Sequence, residues 1–164
     1  MHSDVVGSLL RPTSLLEAQT QRAAGVLTDA QFKAVEDRAV TEVVTLQEDA
    51  GLDVVTDGEL RRYAFYGHLV DALEGFDKLG GWGITFRDDE WRRQMRGEEF
   101  TWLRGRTSKV VKVTLLSAQQ AAAYYDPDKS RAAYATRDAY LADIVDFTRR
   151  EIAELVRLGC TYVQ

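Results

Sequence analysis

The stretch GLDVVTDGELRR, residues 51–62, passes from a glycine through a short apolar run into a cluster of charged side chains. Gly51 is predicted to end a helix, because glycine adopts the left-handed cap conformation without a steric penalty. Residues 52–56 are too few and too rich in β-branched side chains for another helix, which predicts a strand. The charges therefore begin where a buried strand emerges from the core, at Asp57, Glu59, Arg61 and Arg62.

A helix is predicted immediately before this strand. Thr28 and Gln31 have the spacing of a capping box, in which two side chains satisfy amides of the first turn. Apolar residues then recur at steps of three or four, which predicts an amphipathic helix over Phe32, Val35, Ala39, Val43, Leu46 and Ala50. The same order returns at the end of the chain, where an apolar stripe over residues 141–156 precedes Gly159 and a predicted strand, residues 160–164.

Residues 4–6 and 110–116 are further apolar runs, and they raise the number of predicted strands to four. Long connections between strands favour parallel crossovers over hairpins. The segment from Gly80 to Arg106 has no clean period and is predicted to be an irregular excursion or a small hairpin that covers one end of the sheet. We therefore expect a single α/β domain over residues 1–164, with an insertion at about residues 80–108.

Composition excludes several classes of function. With 164 residues, 45% of them hydrophobic and 29% charged, the chain is an ordinary globular sequence. Its net charge of -5 is spread without a basic stripe, which argues against a nucleic-acid partner. The first residues, MHSDVV, lack the basic and apolar regions typical of a signal peptide, and no apolar run approaches the roughly 20 residues of a membrane span. A cytoplasmic protein without a membrane partner is expected.

The chemistry of a parallel α/β sheet lies at the carboxyl ends of its strands, where loops converge. Candidate site residues are those that follow the predicted strands. They are Gly7, Ser8 and Arg11 after the first strand, Asp57, Gly58, Glu59, Arg61 and Arg62 after the second, and Ser117 and Gln119 after the third.

Four segments now carry a family resemblance in order: VVGSLLRP at 5–12, AGLDVVTDGELRR at 50–62, VKVTLLS at 111–117 and REIAELVRLGCTYVQ at 150–164. Together they resemble the catalytic barrel of cobalamin-independent methionine synthase and its relatives. The resemblance implies a (β/α)8 TIM barrel, of which this chain supplies the first half, with about four parallel strands and flanking helices. It also implies methyl transfer from a methylated folate to the zinc-bound thiol of homocysteine.

The resemblance assigns substrate roles to three residues. The turn of Gly7 and Ser8 matches the family segment that holds the carboxylate of the amino acid, and Glu59 matches the acid that receives its ammonium group. Amide and hydroxyl donors suit an anion, and a carboxylate in a partly dry cleft suits a cation. The alternative for Glu59 is an acid near a helix start that stabilises the helix dipole.

Other residues of the same loops have two interpretations. Arg61 and Arg62 contact an anionic folate tail or pair with helical acids on the rim, and we favour the rim pairing because most such charges are solvated. Arg11 and Ser117 are further candidates for folate or rim contacts. The aromatic residues of the insertion flank a pterin or, as aromatic residues more often do, bury apolar area.

The zinc ligands of the family, a histidine, cysteines and an acid, lie beyond the part that this chain matches. Cys160 is expected in the core, and one cysteine allows neither an intramolecular disulfide nor an all-cysteine zinc site. His2 lies at the terminus, and His68, in the helix predicted after the second strand, is expected to be a surface or interface residue. We expect no metal ligands in this chain and zinc held from outside it.

A half barrel leaves a strand edge and apolar helix faces uncovered. We therefore expect a companion polypeptide, a second copy or a missing segment to complete the barrel. The function expected is the substrate-binding half of a zinc-dependent methyltransferase that acts on homocysteine or a related thiol, or of an enzyme that transfers an alkyl group to another acceptor, such as the thiol coenzyme M. The alternative is a half barrel that serves as a binding or scaffold subunit without catalysis.

Overall fold

The computed structural model of the protein describes residues 3–62, 73–76, 82–86 and 89–164. Its helices are α1 (Thr13–Ala23), α2 (Asp29–Asp49), α3 (Asp89–Arg104), α4 (Ala118–Ala122), α5 (Pro127–Ser130) and α6 (Arg137–Arg157). Its strands are β1 (Val54–Val55), β2 (Leu73–Phe76), β3 (Trp82–Phe86), β4 (Val110–Val113) and β5 (Tyr162–Val163). Within these residues, none of the helices combines the length and apolar character that a bilayer crossing requires.

A small parallel sheet in the order β1, β4, β5 organises the molecule. Val54 and Val55 of β1 lie opposite Val110 and Val111 of β4, and β4 continues beside β5 with Val113 opposite Val163. Both pairs are parallel, so the prediction of long crossover connections is confirmed. The fold is α/β, with the carboxyl ends of three strands at one edge.

The predicted helix before β1 is confirmed with its boundaries. The Thr28 hydroxyl accepts a hydrogen bond from the amide of Gln31, and the Gln31 side chain accepts one from the amide of Thr28, which completes the capping box. Gly51 follows the helix with a φ of 78°, in the left-handed region that favours glycine. The buried face of α2 packs into the main core, which contains Phe32, Val40, Val44, Val55, Leu60, Val111 and Leu155.

The buried side-chain amide of Gln47 bonds the main chain just after the two paired residues of β1. The side-chain nitrogen of Gln47 on α2 donates to the carbonyl of Thr56 at 2.8 Å, and its oxygen accepts from the amide of Thr56 at 3.0 Å. The side chain therefore satisfies the main chain of Thr56 in the way that a neighbouring strand does. This contact fixes the end of β1, where the charged turn begins.

The prediction of a strand at residues 4–6 is wrong, because the segment has no ladder with any described strand. Side chains hold it instead. The buried ammonium of Lys112 on β4 donates to the carbonyl of Val5 and, at 2.8 Å, to the carboxylate of Asp4. The Leu9 amide then donates to the carbonyl of Gly58 at 2.9 Å, so the segment is attached to β4 and to the turn after β1.

The segment from Gly80 to Arg106 is more regular than predicted. β3 pairs antiparallel with β2, Leu73 opposite Phe86, so one strand of this pair lies before Gly80, outside the segment in which a hairpin was predicted. The expectation of irregular backbone is wrong after Asp89, where α3 extends to Arg104. Phe100 and Leu103, three positions apart, are buried in the main core and hold the last turns of this helix against the sheet.

The last helix has two apolar faces. Tyr140, Ile144, Phe147 and Leu155 of α6 are buried. A second stripe, rotated by about 100° because each residue adds that angle, consists of Val145, Ile152 and Val156, which are 38–60% exposed. Gly159 and β5 then follow as predicted. A second hydrophobic cluster includes Tyr140 of α6, and Tyr124, Tyr125 and Tyr134 pack against it.

Arg61 anchors the turn after β1 to α2. Its side chain is 4% exposed, and its guanidinium lies 2.6 Å from the carboxylate of Asp37 and 3.9 Å from that of Glu36. The ring of Trp102 on α3 lies 4.6 Å from the same guanidinium, in a cation–π contact. Burial raises the pKa of Glu36 to about 7, although the charges of Arg61 and Lys33 oppose the shift.

The raised pKa of Glu36 predicts how stability varies with pH. Between about pH 4.5 and 7 the folded protein holds a proton on Glu36 that the unfolded chain releases, so the free energy of unfolding falls as pH rises through this window. Glu36→Gln cannot ionise, so it should not lose stability over this pH range. We expect its free energy of unfolding at pH 8 to exceed that of the wild type by on the order of 1 kcal/mol, a figure that allows for solvent screening.

Urea unfolding followed by circular dichroism at pH 5 and pH 8 measures the difference. Glu42→Gln, on the exposed face of the same helix, controls for the loss of a surface charge. An identical pH profile for the wild type and Glu36→Gln would show that Glu36 does not contribute to the dependence.

Candidate functional site

An open cleft of about 540 Å³ lies at the carboxyl ends of the three parallel strands. Gly7, Ser8, Glu59 and Arg62, all candidates from the sequence, line it. The other lining residues are Val6, Thr114, Leu115, Leu116, Gln120 and Gln164. The loops that were expected to converge therefore do converge, and the charged turn after β1 supplies one carboxylate and one guanidinium to the cleft.

The turn places successive side chains in different environments. Glu59 and Arg62 face the cleft, Leu60 is buried in the core, and Arg61 turns back to α2. Glu59 has a φ of 57°, a left-handed conformation that is uncommon for residues other than glycine. The carboxylate of Asp57 accepts the amide of Glu59 at 3.0 Å and holds this strained backbone in place.

Hydroxyl groups from two other segments hold the carboxylate of Glu59, which is 4% exposed. Ser8 donates to its Oε2, and Thr114, the first residue after β4, donates to its Oε1 at 2.9 Å. Nη1 of Arg62 lies 3.6 Å from the same Oε1. The acid is thus fixed between the first segment, β4 and its own turn.

Gly7 lies directly against this carboxylate. A Cβ at Gly7 would lie 2.7 Å from Oε1 of Glu59 and 3.3 Å from its Cδ, closer than side-chain packing allows. Only glycine lets the backbone approach the acid this closely. The backbone of Gly7 and the hydroxyl of Ser8 therefore both lie against one carboxylate.

Arg62 does not make the rim pairing that was favoured for it. It is 4% exposed, and its guanidinium donates to the Thr114 hydroxyl at 3.1 Å and to the Thr114 carbonyl at 3.4 Å. Its carboxylate neighbours are Asp57, at 3.7 Å, and Glu59. The physical reason is geometric, because adjacent residues of a turn point in different directions and only Arg61 faces the acids of α2.

Two other candidates have structural contacts outside the lining of the cleft. Arg11 donates to the main-chain carbonyls of Glu59, at 3.2 Å, and of Arg62, so it fastens the first segment to the turn. Ser117 accepts the amide of Gln120 at 3.1 Å and caps α4.

Sequence reasoning missed Thr114 and Lys112. They stand two positions apart at the end of β4, and residues at that spacing share one face of a strand. Lys112 is 2% exposed, and its ammonium also donates to the side chain of Gln164, a lining residue, at 2.9 Å. Polar residues at alternate positions of an apolar run, as in VKVT, are the signal that identifies this face.

A zinc site does not fit the residues described. No group of three or more histidine, cysteine, aspartate or glutamate side chains lies close enough to hold a metal ion in the described ranges 3–62 and 97–164. Cys160 is 6% exposed in the main core, where its thiol donates to the carbonyl of Tyr162 at 3.4 Å. His68 lies outside the described residues, so its expected surface position stays a prediction.

The arrangement suits a small cation with several hydrogen-bond donors. Asp57, Glu59 and Arg62 leave one carboxylate charge in excess, and each oxygen of Glu59 accepts one hydrogen bond from a hydroxyl. A carboxylate has about four acceptor positions. Capacity therefore remains for a primary ammonium group, and the apolar side chains of Leu115 and Leu116 border the same cleft.

Sequence comparison relates the chain to known proteins. A methionine synthase of Pyrococcus abyssi is 29% identical to the chain over 178 residues, which cover 99% of the chain and 50% of that protein. The uncharacterised protein YxjH of Bacillus subtilis is 27% identical over 99% of the chain and 46% of that protein. The chain therefore spans about half the length of the curated relatives that it matches.

Solved structures show the same fold. A putative vitamin-B12-independent methionine synthase from Listeria monocytogenes matches with a TM-score of 0.74 and 24% identity, over 100% of the chain and 51% of that protein. A B12-independent methionine synthase from Shewanella, solved with selenomethionine, matches with a TM-score of 0.74 and 20% identity, over 99% of the chain and 50% of that protein.

The sequence profile described as the catalytic domain of cobalamin-independent synthase matches residues 1–164. The match extends over every segment that builds the cleft, from Gly7 to Gln164. The chain belongs to the family of cobalamin-independent synthase catalytic domains.

Proposed function

We propose that this chain is the substrate-binding half of a methionine-synthase-like methyltransferase, and that its cleft binds the amino-acid part of homocysteine or a related thiol. The observation that carries the proposal is the buried carboxylate of Glu59, which lies in the cleft between two hydroxyl donors and beside Gly7. A fixed acid of this kind pairs well with a substrate ammonium group.

The other end of the substrate is assigned to the first segment. The Ser8 hydroxyl has one proton, and it donates that proton to Glu59. The substrate carboxylate therefore falls to the main-chain amides of Gly7 and Ser8. Holding both charged groups of the amino acid fixes the direction of its thiol, which favours transfer by reducing the entropy lost at the reacting centre.

The reaction proposed moves a methyl group from a nitrogen of a methylated folate to the thiol sulfur, while the thiol proton goes to the solvent and the folate nitrogen regains a proton. Zinc, held by ligands outside this chain, would bind the substrate thiol and favour its thiolate form, which is the nucleophile. The residues of this chain bind and orient the amino acid. The Shewanella relative solved with selenomethionine is consistent with an amino-acid ligand for this fold.

We also propose that the remaining half of a (β/α)8 barrel covers the exposed stripe of Val145, Ile152 and Val156 on α6 and the outer edge of β5. The stripe borders the buried face of α6, which is where the next helix of a barrel packs. A companion polypeptide or a further segment of the same chain supplies this half.

Replacement of the acid tests the substrate assignment. We expect Glu59→Gln to bind L-homocysteine at least about tenfold more weakly, because a hydrogen bond to a charged partner is lost. Isothermal titration calorimetry under reducing conditions measures the affinity. 4-Mercaptobutyrate, which lacks the amino group, should bind the variant and the wild type equally.

Glu17→Gln, on the exposed face of α1, is the matched control and should keep the wild-type affinity. Unchanged homocysteine affinity in Glu59→Gln would remove the acid from the binding site and leave a scaffold or another ligand as the function.

The close approach of Gly7 gives a second test. We expect Gly7→Ala to displace the Glu59 carboxylate and lower homocysteine affinity, with a loss of about 1–3 kcal/mol in the free energy of unfolding from overpacking. Gly105→Ala is the control, because its Cβ would meet only ordinary contacts at 3.6 Å. Equal affinity in the two variants would show that the approach of Gly7 to Glu59 is irrelevant to binding.

The missing half is tested on the native protein. We expect native mass spectrometry with metal analysis to find this sequence joined to, or complexed with, a polypeptide that carries zinc. In a two-chain assembly, the Ile152→Ser, Val156→Ser double variant should weaken association, because it removes apolar area from the contact. Methyl transfer by a zinc-free assembly, or the absence of any additional polypeptide, would contradict this part of the proposal.

A further inference from the structure

We propose that Thr114 and Arg62 are positioning residues for recognition of the substrate amine, and that they set the direction in which Glu59 presents its carboxylate. The inference rests on the proposed function of Glu59 as the ammonium partner. Neither residue needs to touch the substrate. Their effect passes through one chain of hydrogen bonds from Arg62 to Thr114 to Glu59.

The direction of this chain follows from the chemistry of its members. A guanidinium only donates hydrogen bonds, so the Thr114 hydroxyl must accept from Nη2 of Arg62, at 3.1 Å. The Thr114 hydroxyl has a single proton. Because it accepts from Arg62, it donates that proton to Oε1 of Glu59, 2.9 Å away. Hydrogen bonds aligned head to tail in this way polarise and strengthen one another.

Burial makes the chain rigid. Arg62 and Glu59 are each 4% exposed and Thr114 is 8% exposed, so bulk water does not replace a lost partner at low cost. Arg62 also donates to the carbonyl of Thr114, which fixes the residue at both its main chain and its side chain. The threonine therefore holds Oε1 in one position while Ser8 holds Oε2.

This arrangement determines which substrate group the acid can accept. With one lone pair of each oxygen used by a hydroxyl, the remaining acceptor positions of the Glu59 carboxylate are fixed in direction. A primary ammonium group supplies several donors to those positions, whereas a hydroxyl or an acylated nitrogen supplies at most one and no full charge. Thr114 and Arg62 therefore act on selectivity for free α-amino acids.

Matched variants at position 114 test the proposal. Thr114→Val keeps the shape of the side chain and removes the hydroxyl, whereas Thr114→Ser keeps the hydroxyl. We expect Thr114→Val to bind L-homocysteine about tenfold or more weakly than the wild type, in line with the loss of a hydrogen bond to a charged group. Thr114→Ser should restore most of the affinity, and 4-mercaptobutyrate should bind all three proteins equally.

Substitution of Arg62 provides an independent test. Arg62→Lys keeps the charge but cannot donate in parallel to the hydroxyl and the carbonyl of Thr114. We expect it to lower homocysteine affinity with little effect on 4-mercaptobutyrate. Thr45→Val, the same substitution on the exposed face of α2, controls for the change of residue type, and thermal unfolding of every variant verifies that it is folded.

The outcomes distinguish the amine-binding role of Glu59 from the positioning role of Thr114 and Arg62. If the wild type binds homocysteine no better than 4-mercaptobutyrate, the amine role of Glu59 is overturned and this inference falls with it. If the wild type discriminates and Glu59→Gln loses discrimination while Thr114→Val keeps it, only the positioning role is overturned. Equal losses for both ligands in a folded Thr114→Val would show a general structural effect and would also overturn it.

Discussion

The buried guanidinium of Arg62 joins the two parts of the sheet edge on which the cleft depends. It reaches from the turn after β1 to the hydroxyl and carbonyl of Thr114 at the end of β4, with Asp57 and Glu59 as its carboxylate neighbours. A charge in such a site is tolerated only while its partners remain in place. The strained backbone of Glu59 and the position of its carboxylate therefore belong to a single unit.

The sequence identifies the elements that build this unit because their signals are local. The capping box of Thr28 and Gln31, the glycine after α2 and the short β-branched run of β1 each depend on a few neighbouring residues. Polar residues at a strand end are equally local, and they predict that Glu59 lies at the edge of the sheet, where it lines the cleft. The positions of α2, β1 and the charged turn along the chain thus follow from residue order alone.

Contacts between distant segments are not encoded in that way. Arg61 and Arg62 are chemically identical neighbours, yet one pairs with α2 and the other with β4, since the geometry of the turn decides their directions. Lys112 in VKVT is buried and holds the first segment through hydrogen bonds, although lysine side chains are nearly always exposed. The helix α3 was missed because the segment 80–106 taken as a whole has no clean period, whereas the helix begins only at Asp89, with Phe100 and Leu103 on one face.

The attachment of the first segment has a consequence for protein engineering. Residues 3–12 carry Gly7 and Ser8, yet they join the sheet through the ammonium of Lys112, the side chain of Arg11 and the amide of Leu9 rather than through a strand ladder. Together with the hydrogen bond from Ser8 to Glu59, these contacts hold the segment mainly through side chains. Transplanting it between family members that keep these contacts would change the residues that line this side of the cleft without rebuilding the sheet.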